Sequence, residues 1–481
     1  MSDHFLSSME RKLIIKLAKN PIERYLSCVN QFQISESKER EYGPIKNILL
    51  FNTIDKIGGA AKVCERTTHF LNDHGFQAYM YVHRKFFENT IVSTLPSARS
   101  FDQIILNLFQ KNEGWLDVFL SSSLKIKQLP EFKSADLLHF HNMKPGFFSV
   151  LTLPEITSLK PIIWTLHDMH SITGHCNHSY ECDRWKFLCG SCPNLNSPPE
   201  INRDSTGFLI RLKKLAYDHS DFHVVSPSNW LKSKISKSIL KHKSITVIPN
   251  GIDENIFAGH SKEEARKKLN LPGDHRILLF VAFRGIKNRI KGGHLIPEII
   301  KRLKQKKTIF ICVGAPGIQE ANIISVDSVT DERKLALFYA AADLFIYPSF
   351  ADNFPLVILE SLSCRTPVVA FKTGGIPEII KHKYNGYLSP TGNIDEMIHG
   401  INYFLADRLR LEKAEYAARK TILDKFTLKD TMNKYIHLYH SVKSEFYTHS
   451  FKADKNYRQE LYKLIFFYYS RLRMSKTGKR I

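Results

Sequence analysis

Two acids eight residues apart, Asp352 and Glu360, stand in the stretch Tyr347-Pro-Ser-Phe-Ala-Asp-Asn-Phe-Pro-Leu-Val-Ile-Leu-Glu360. The apolar residues before it read as a strand ending at Ser349, and Pro355 suits the first turn of a following helix. Asn353 is the expected N-cap of that helix. The backbone N–H groups of Phe354, Leu356 and Val357 would then point out of the helix start, where an anion is favoured. One element so offers a carboxylate, a ring of amides and a second carboxylate. That set suits a sugar, a diphosphate and a ribose laid end to end. By spacing alone, an ordinary strand–loop–helix with two surface acids fits equally well.

Other residues of the same character are spread along the chain. Lys291 is expected at a helix start after a strand, with two further cations, Arg284 and Arg289, just before it. Gly58 and Gly59 follow the first strand and precede a helix, so the backbone there can approach an anionic ligand closely. His139 and His141 end a strand and share one face of it, with Phe140 on the other. Either is a candidate for a ligand-facing imidazole; the alternative is a satisfied core histidine. His167 and Asp168 also follow a strand directly and either line an acceptor pocket or cap a helix. Cys176, Cys182, Cys189 and Cys192 crowd into one segment with His175 and His178. Structural zinc, disulfide or redox pairs, and plain packing are all open for these thiols.

These residues need a scaffold that brings strand ends together. Short apolar runs recur at Ile45–Phe51, Leu137–Phe140, Ile162–Leu166, Phe222–Val225, Ile245–Ile248, Ile277–Val281, Thr308–Val313, Leu344–Tyr347 and Val368–Phe371. Most are separated by stretches of helical period. Runs apolar throughout and alternating with helices argue for parallel sheets buried on both faces. One sheet is expected from about residues 45–250 and a second from about 276–390, in a chain of 481 residues, too long for one ordinary core. Ligands of such sheets bind beyond the carboxyl ends of the strands. An N-terminal extension (1–44), a first domain (45–257) with a Cys-rich insertion (170–200), a second domain (258–426), a crossing helix (427–445) and a basic tail (446–481) complete the division.

With these residues in place, the chain resembles the retaining GT-B glycosyltransferases of family 4, in an Asp-first form of their E-x(7)-E signature. The resemblance also rests on Val247-Ile-Pro-Asn-Gly-Ile-Asp253, Lys291-Gly292, Pro367-Val-Val-Ala370, Gly374-Gly-Ile-Pro-Glu378, Gly58-Gly-Ala-Ala61 and His139-Phe-His141. The segment Trp-Thr-Leu-His-Asp-Met-His-Ser-Ile-Thr-Gly-His-Cys176 resembles a subgroup building bacterial exopolysaccharides such as colanic acid. The resemblance implies an α/β fold of two Rossmann-like, doubly wound domains facing across a cleft. It implies that Asp352 binds donor-sugar hydroxyls, Glu360 the ribose and Lys291 the diphosphate, with an arginine beside it, Arg284 before Arg289, and that His141 is the cleft histidine. It implies retention without a protein nucleophile, the leaving phosphate itself accepting the acceptor proton. No cofactor is expected for catalysis. Arg365 departs from the pattern, since the family has glycine at that helix end; a left-handed residue other than glycine costs about 1 kcal/mol.

Sixty-nine Lys and Arg against 47 Asp and Glu give a formal charge of +22, which implies an anionic surface among the partners. The stretch Tyr457–Arg473 combines aromatics with basic residues and could lie on an anionic bilayer; a helix packed on the body is the alternative. The expected partners are a nucleotide-sugar donor (UDP- or GDP-linked), a saccharide acceptor, polyprenyl-linked in this reading, and an anionic membrane surface. No nucleic acid is expected, because no RNA-reading motif accompanies the charge. The competing enzyme class is a GT-B nucleotide-sugar epimerase, and a basic zinc-containing nucleic-acid binder is the competing binding module. No apolar run is long enough to span a bilayer and no signal peptide is legible, so the expected location is the cytoplasm, at the inner face of the plasma membrane.

Overall fold

The computed structural model describes residues 8–29, 43–97, 100–144, 146–258, 260–303, 307–314, 323–448 and 456–474. It divides into two compact units. The first takes in residues up to Ser226, Lys232–Thr246 and the chain from Ile436 on; the second is Pro227–Leu231 with Val247–Tyr435.

The first unit is built on a seven-stranded sheet of order β3-β2-β1-β4-β5-β6-β7. Its strands are β1 (Asn47–Ile54), β2 (Gln77–Arg84), β3 (Val92–Thr94), β4 (Leu137–Phe140), β5 (Ile162–Thr165), β6 (His223–Ser226) and β7 (Ile245–Val247). The second unit holds a six-stranded sheet of order β10-β9-β8-β11-β12-β13. These are β8 (Arg276–Val281), β9 (Thr308–Val313), β10 (Ile323–Val326), β11 (Leu344–Tyr347), β12 (Val368–Phe371) and β13 (Gly386–Ser389). Pairings are parallel, as in β1 with β4 (Leu50 opposite His139) and β8 with β11 (Leu344 opposite Leu278). Central strands are apolar at every position because helices cover both faces: β4, β11 and β12 are buried throughout.

In each sheet the strand order reverses once, between β1 and β4 and between β8 and β11. Neighbouring connections there leave in opposite directions and open a crevice at the carboxyl ends. The expected residues concentrate at these two points.

The described parts of both termini pack on the first unit. Helix α1 (Ser8–Cys28) buries Ile14, Ile15, Ala18, Ile22, Tyr25 and Leu26 in a cluster shared with helix α3 (Phe101–Glu113), the Thr206–Asp218 helix and the Tyr457–Met474 helix. Each such Ile or Leu is worth about 1.5–3 kcal/mol when fully buried. The Tyr457–Met474 helix spends its apolar face, Tyr457, Leu461, Ile465 and Tyr469, on that packing. The Tyr469 hydroxyl donates to the Ile15 carbonyl and the Tyr457 hydroxyl to the Leu151 carbonyl. The expected amphipathic tail is therefore a body-packed helix, with Arg458, Lys463, Arg471 and Arg473 left outside. The rest of the predicted basic tail, residues 449–455 and 475–481, lies outside the described residues, as do residues 1–7 and 30–42 of the expected extension. No described helix is long and apolar enough to cross a membrane.

Candidate active site

At the switch point of the second sheet, the loop after β8 carries Lys291 and the loop after β11 carries Asp352. The Lys291 Nζ lies 2.5 Å from the Asp352 Oδ2. The Tyr347 hydroxyl, at the end of β11, donates to the same carboxylate oxygen at 2.5 Å. Contrary to expectation, Lys291 does not start a helix; it sits between two short 3₁₀ turns, Gly285–Lys287 and Gly293–Leu295, its own N–H bonded to Asn288 Oδ1.

Glycine sets the spacing of these loops. A Cβ on Gly292 (φ +73°) would stand 1.9 Å from the Pro348 carbonyl oxygen, and one on Gly374 (φ +55°) would stand 1.6 Å from that of Asp352. A side chain at either position would push apart the segments carrying Lys291 and Asp352.

The following helix, Leu356–Ser363, begins one step later than expected. Pro355 occupies the N-cap position (φ −72°, ψ 123°) with no side-chain cap. Asn353 is thus not the cap: its Oδ1 accepts a 2.5 Å bond from the Ser228 hydroxyl, locking the loop in place. Asn250, in the Asn-Gly-Ile-Asp segment, donates to the Phe354 carbonyl at 2.9 Å. Leu356 and Val357 head the helix with their N–H groups at its positive end.

Glu360 is fully buried, and the Tyr339 hydroxyl donates to its Oε2 at 3.1 Å. Burial, with Glu360 alongside, holds the Tyr339 phenol protonated. Each acid of the pair so has a tyrosine donor, Tyr347 for Asp352 and Tyr339 for Glu360. Sequence reasoning gave neither tyrosine a role, although Tyr347 immediately precedes the signature. Arg284 and Arg289 are both exposed on the loop after β8, and Arg284 is left-handed (φ +65°), its guanidinium over the Phe283 ring. Neither is drawn to the Lys291–Asp352 pair by a bond among the described contacts.

The switch point of the first sheet holds Gly58-Gly59 after β1 and His141 after β4. Gly58 (φ +93°) precedes helix α2 (Gly59–Asp73), and a Cβ at either glycine would meet nothing within 4 Å. The backbone there faces open space, as a close ligand approach requires.

The two histidines separate cleanly. His139 is a satisfied core residue, bonded to the Tyr439 and Thr165 hydroxyls at 2.8 Å each. His141 Nδ1 meets His167 Nε2 at 3.0 Å, while the buried His141 Nε2 has no hydrogen-bond partner among the described residues. Burial lowers the basicity of both, His167 to about 4 and His141 well below its ordinary value. Both rings are neutral at pH 7. A neutral imidazole with one uncommitted nitrogen is a hydroxyl-recognition group rather than an anion trap.

Asp168 both lines a small cavity with His167 and is held by two bonds of its own. It accepts from Lys144 Nζ at 2.7 Å and from the His170 N–H at 2.9 Å. Burial opposes its charge, but Lys144 outweighs it and keeps the carboxyl below its usual range. Behind it a cavity of about 40 Å³, lined by His141, Lys144, His167 and Lys213, has room for about three water molecules.

The cysteine segment, for which structural zinc, disulfide or redox pairs and plain packing were all open, holds its four thiols apart from any bond to one another. Among the described residues no three His, Cys, Asp or Glu are arranged to hold a metal ion, and Cys176, Cys182, Cys189 and Cys192 are free thiols. The loop is held by ordinary bonds: the Gly174 N–H donates to Cys189 Sγ, and Cys192 Sγ lies 3.5 Å from His175 Nε2.

Comparison with known proteins agrees with this division. Residues 57–256 match the model described as Glycosyltransferase Family 4, and residues 261–421 match Glycosyl transferases group 1. A putative colanic acid biosynthesis glycosyl transferase, WcaC, of Escherichia coli K12 is 24% identical over 70% of this chain and 85% of its own length. A D-inositol 3-phosphate glycosyltransferase of Thermobispora bispora is 32% identical over 57% of this chain and 63% of its own. The crystal structure of Anabaena HepE in complex with UDP-glucose superposes with a TM-score of 0.57, at 18% identity, over 82% of this chain and 99% of HepE. Two parallel α/β domains, each with its residues at the switch point, and these matches place the chain among the GT-B glycosyltransferases, as a protein of the group 1 and family 4 domains.

Proposed function

We propose that the protein transfers a sugar from a UDP- or GDP-sugar, with retention of configuration, to a saccharide acceptor carried on a lipid, in bacterial surface-polysaccharide synthesis. The observation that carries the reading is the Lys291–Asp352 ion pair in front of the Leu356–Ser363 helix start. A diphosphate entering there competes for the ammonium. Lys291 then turns to the phosphates, and Asp352 becomes an acceptor for sugar hydroxyls. The helix start adds a fixed positive potential where the departing nucleoside diphosphate gathers charge. Glu360, inside the helix, accepts from the ribose hydroxyls in place of Tyr339. His141 offers its uncommitted nitrogen to the transferred sugar.

In this reading the chain provides no nucleophile. The leaving phosphate takes the acceptor proton on the same face, and preorganised charge does most of the work. WcaC bears colanic acid biosynthesis in its name and HepE was solved with UDP-glucose; both support a nucleotide-sugar donor and a polysaccharide product. The test is a screen of UDP- and GDP-sugars with and without saccharide acceptors, with the product anomer read by NMR. Acceptor-dependent release of nucleoside diphosphate and a product of unchanged anomeric configuration are expected. Conversion of the nucleotide sugar without any acceptor would instead indicate an epimerase.

A further inference from the structure

Helix α1 lies outside the residues that match either family model, so its outer face is not explained by the transferase domains. Its inner face is buried, yet the outer one is not simply polar. Met9, Leu13 and Leu17 stand one turn apart and are 79%, 55% and 43% exposed. Helix α3 repeats the pattern: Phe101, Ile104 and Leu108, at helical spacing, are 69%, 53% and 38% exposed.

The two helices run antiparallel, joined at one end by Arg11 with Glu113 and at the other by Arg24 with Asp102. Arg24 follows Leu17 by seven residues, on the same face of α1. Both helices pack on one core cluster and on each other, so the two stripes lie on the outward faces of neighbouring helices. Lys12, Lys16 and Lys19 on α1 and Lys111 on α3 are exposed around them. The acids nearby are Glu10, Glu23 and Asp102; Glu23 faces Lys19 at 3.9 Å and Asp102 is held by Arg24. The rim is basic on balance.

We infer that this two-helix face is the surface by which the protein lies on an anionic lipid bilayer. The inference rests on the lipid-linked acceptor proposed above and assigns the membrane contact to α1 and α3, not to the Tyr457–Met474 helix. Six apolar side chains fit the depth of the headgroup–acyl boundary, and lysines beside them meet lipid phosphates. Charged residues recur too often along α1 for it to span, so it lies in the interface plane. A second copy of the chain suits the face less well, since a self-complementary contact would set these lysines against each other.

The test is co-sedimentation of the full chain with vesicles of phosphatidylglycerol and phosphatidylethanolamine, and with phosphatidylcholine alone. Binding is expected to the anionic vesicles and to weaken with salt. Leu13→Glu with Leu17→Glu should lower it roughly tenfold or more, since each leucine loses its apolar burial and gains like-charge repulsion. Lys12→Gln with Lys16→Gln, which alters only exposed charge, should lower it several-fold. Leu13→Trp should blue-shift its emission on anionic vesicles but not on phosphatidylcholine. Donor turnover with a soluble acceptor should be unchanged in all three variants; its absence in the parent protein would count against the proposed transfer, not against the membrane face. Unchanged vesicle binding in both multiple variants would overturn the inference. So would a wild-type dimer that the Leu13→Glu, Leu17→Glu variant dissociates without loss of vesicle binding.

Discussion

The two sheets share a strand order and both put their candidate residues at the reversal, yet they arm it differently. The second sheet carries a partly exposed ion pair, Lys291 with Asp352, backed by the buried acid Glu360. The first carries two neutral imidazoles, buried His141 and half-buried His167, and a pair of unobstructed glycines. Under the proposed function, the difference teaches that one scaffold can serve two chemistries. Charge that must be moved is met by mobile charge near solvent, where rearrangement is cheap. Neutral hydroxyls are met by fixed, dry donors and acceptors, whose hydrogen bonds are stronger for being buried.

The sharpest way to break the comparison is to remove the cation. Lys291→Ala should lower kcat by about a hundredfold to a thousandfold, the scale of losing one charge-stabilising group. Lys291 is partly exposed and bonded to a carboxylate that water can solvate, so the melting temperature should barely move. Wild-type kcat in this variant would remove the second sheet from the chemistry.

Glu360 tests the buried acid. Glu360→Ala should abolish transfer and also cost about 1–3 kcal/mol of stability, because the Tyr339 hydroxyl loses its acceptor. Glu360→Gln keeps an acceptor oxygen and the volume, so its melting temperature should stay close to wild type while kcat/KM still falls at least tenfold. Equal activity in Glu360→Gln and wild type would reduce Glu360 to a packing residue.

Much of this arrangement was legible in the sequence. Apolar runs without alternation announced buried parallel strands, and β4, β9, β11 and β12 fall where those runs lie. Strands β2, β3, β10 and β13 were missed. Three of them lie at sheet edges and β2 alternates, Gln77 and Tyr79 outward, so none shows an unbroken apolar run. At the site, order after a strand put Asp352, His139 and His141 at strand ends, while the choice of His141 and the role of Lys291 came with the family resemblance. What spacing could not show was the third dimension. The Tyr339–Glu360 bond joins a helix to the next one but one element along, and the Ser228–Asn353 bond spans 125 residues. Asn353 was expected to cap the helix beginning near Pro355, but the longer-range hydroxyl claimed its side chain. The cysteine spacing gave a list of donors but no geometry.

The imidazoles of the first sheet sharpen the comparison through pH. His167 has a folded-state pKa of about 4 against an ordinary 6.5 because it is buried. Between these values the unfolded chain binds a proton that the folded chain refuses, so stability rises with pH across this window. Acidification from pH 6.5 towards 4 should therefore lower the melting temperature steadily, and His139, at about 3, extends the same trend. His167→Asn should flatten the slope by one proton's share. An unchanged slope would show that His167 is protonated in the folded state, and the claim of a neutral recognition pair would go with it.

The smallest expected effect lies where neither sheet does chemistry. Arg365, exposed at the end of the Leu356–Ser363 helix, is left-handed at φ +65°, where glycine pays no steric cost. Arg365→Gly relieves that strain but makes the unfolded chain more flexible, and the two effects oppose each other. Strain of about 1 kcal/mol against a somewhat smaller entropic loss leaves a gain of at most a few tenths of a kcal/mol. Calorimetry should thus find a melting temperature equal to wild type or slightly above it, with kcat unaltered. A clear fall would mean that the arginine side chain makes a stabilising contact large enough to outweigh the strain. A fall in kcat alone would carry the donor-side machinery to the far end of this helix, making the second sheet's site longer than the ion pair and its two acids.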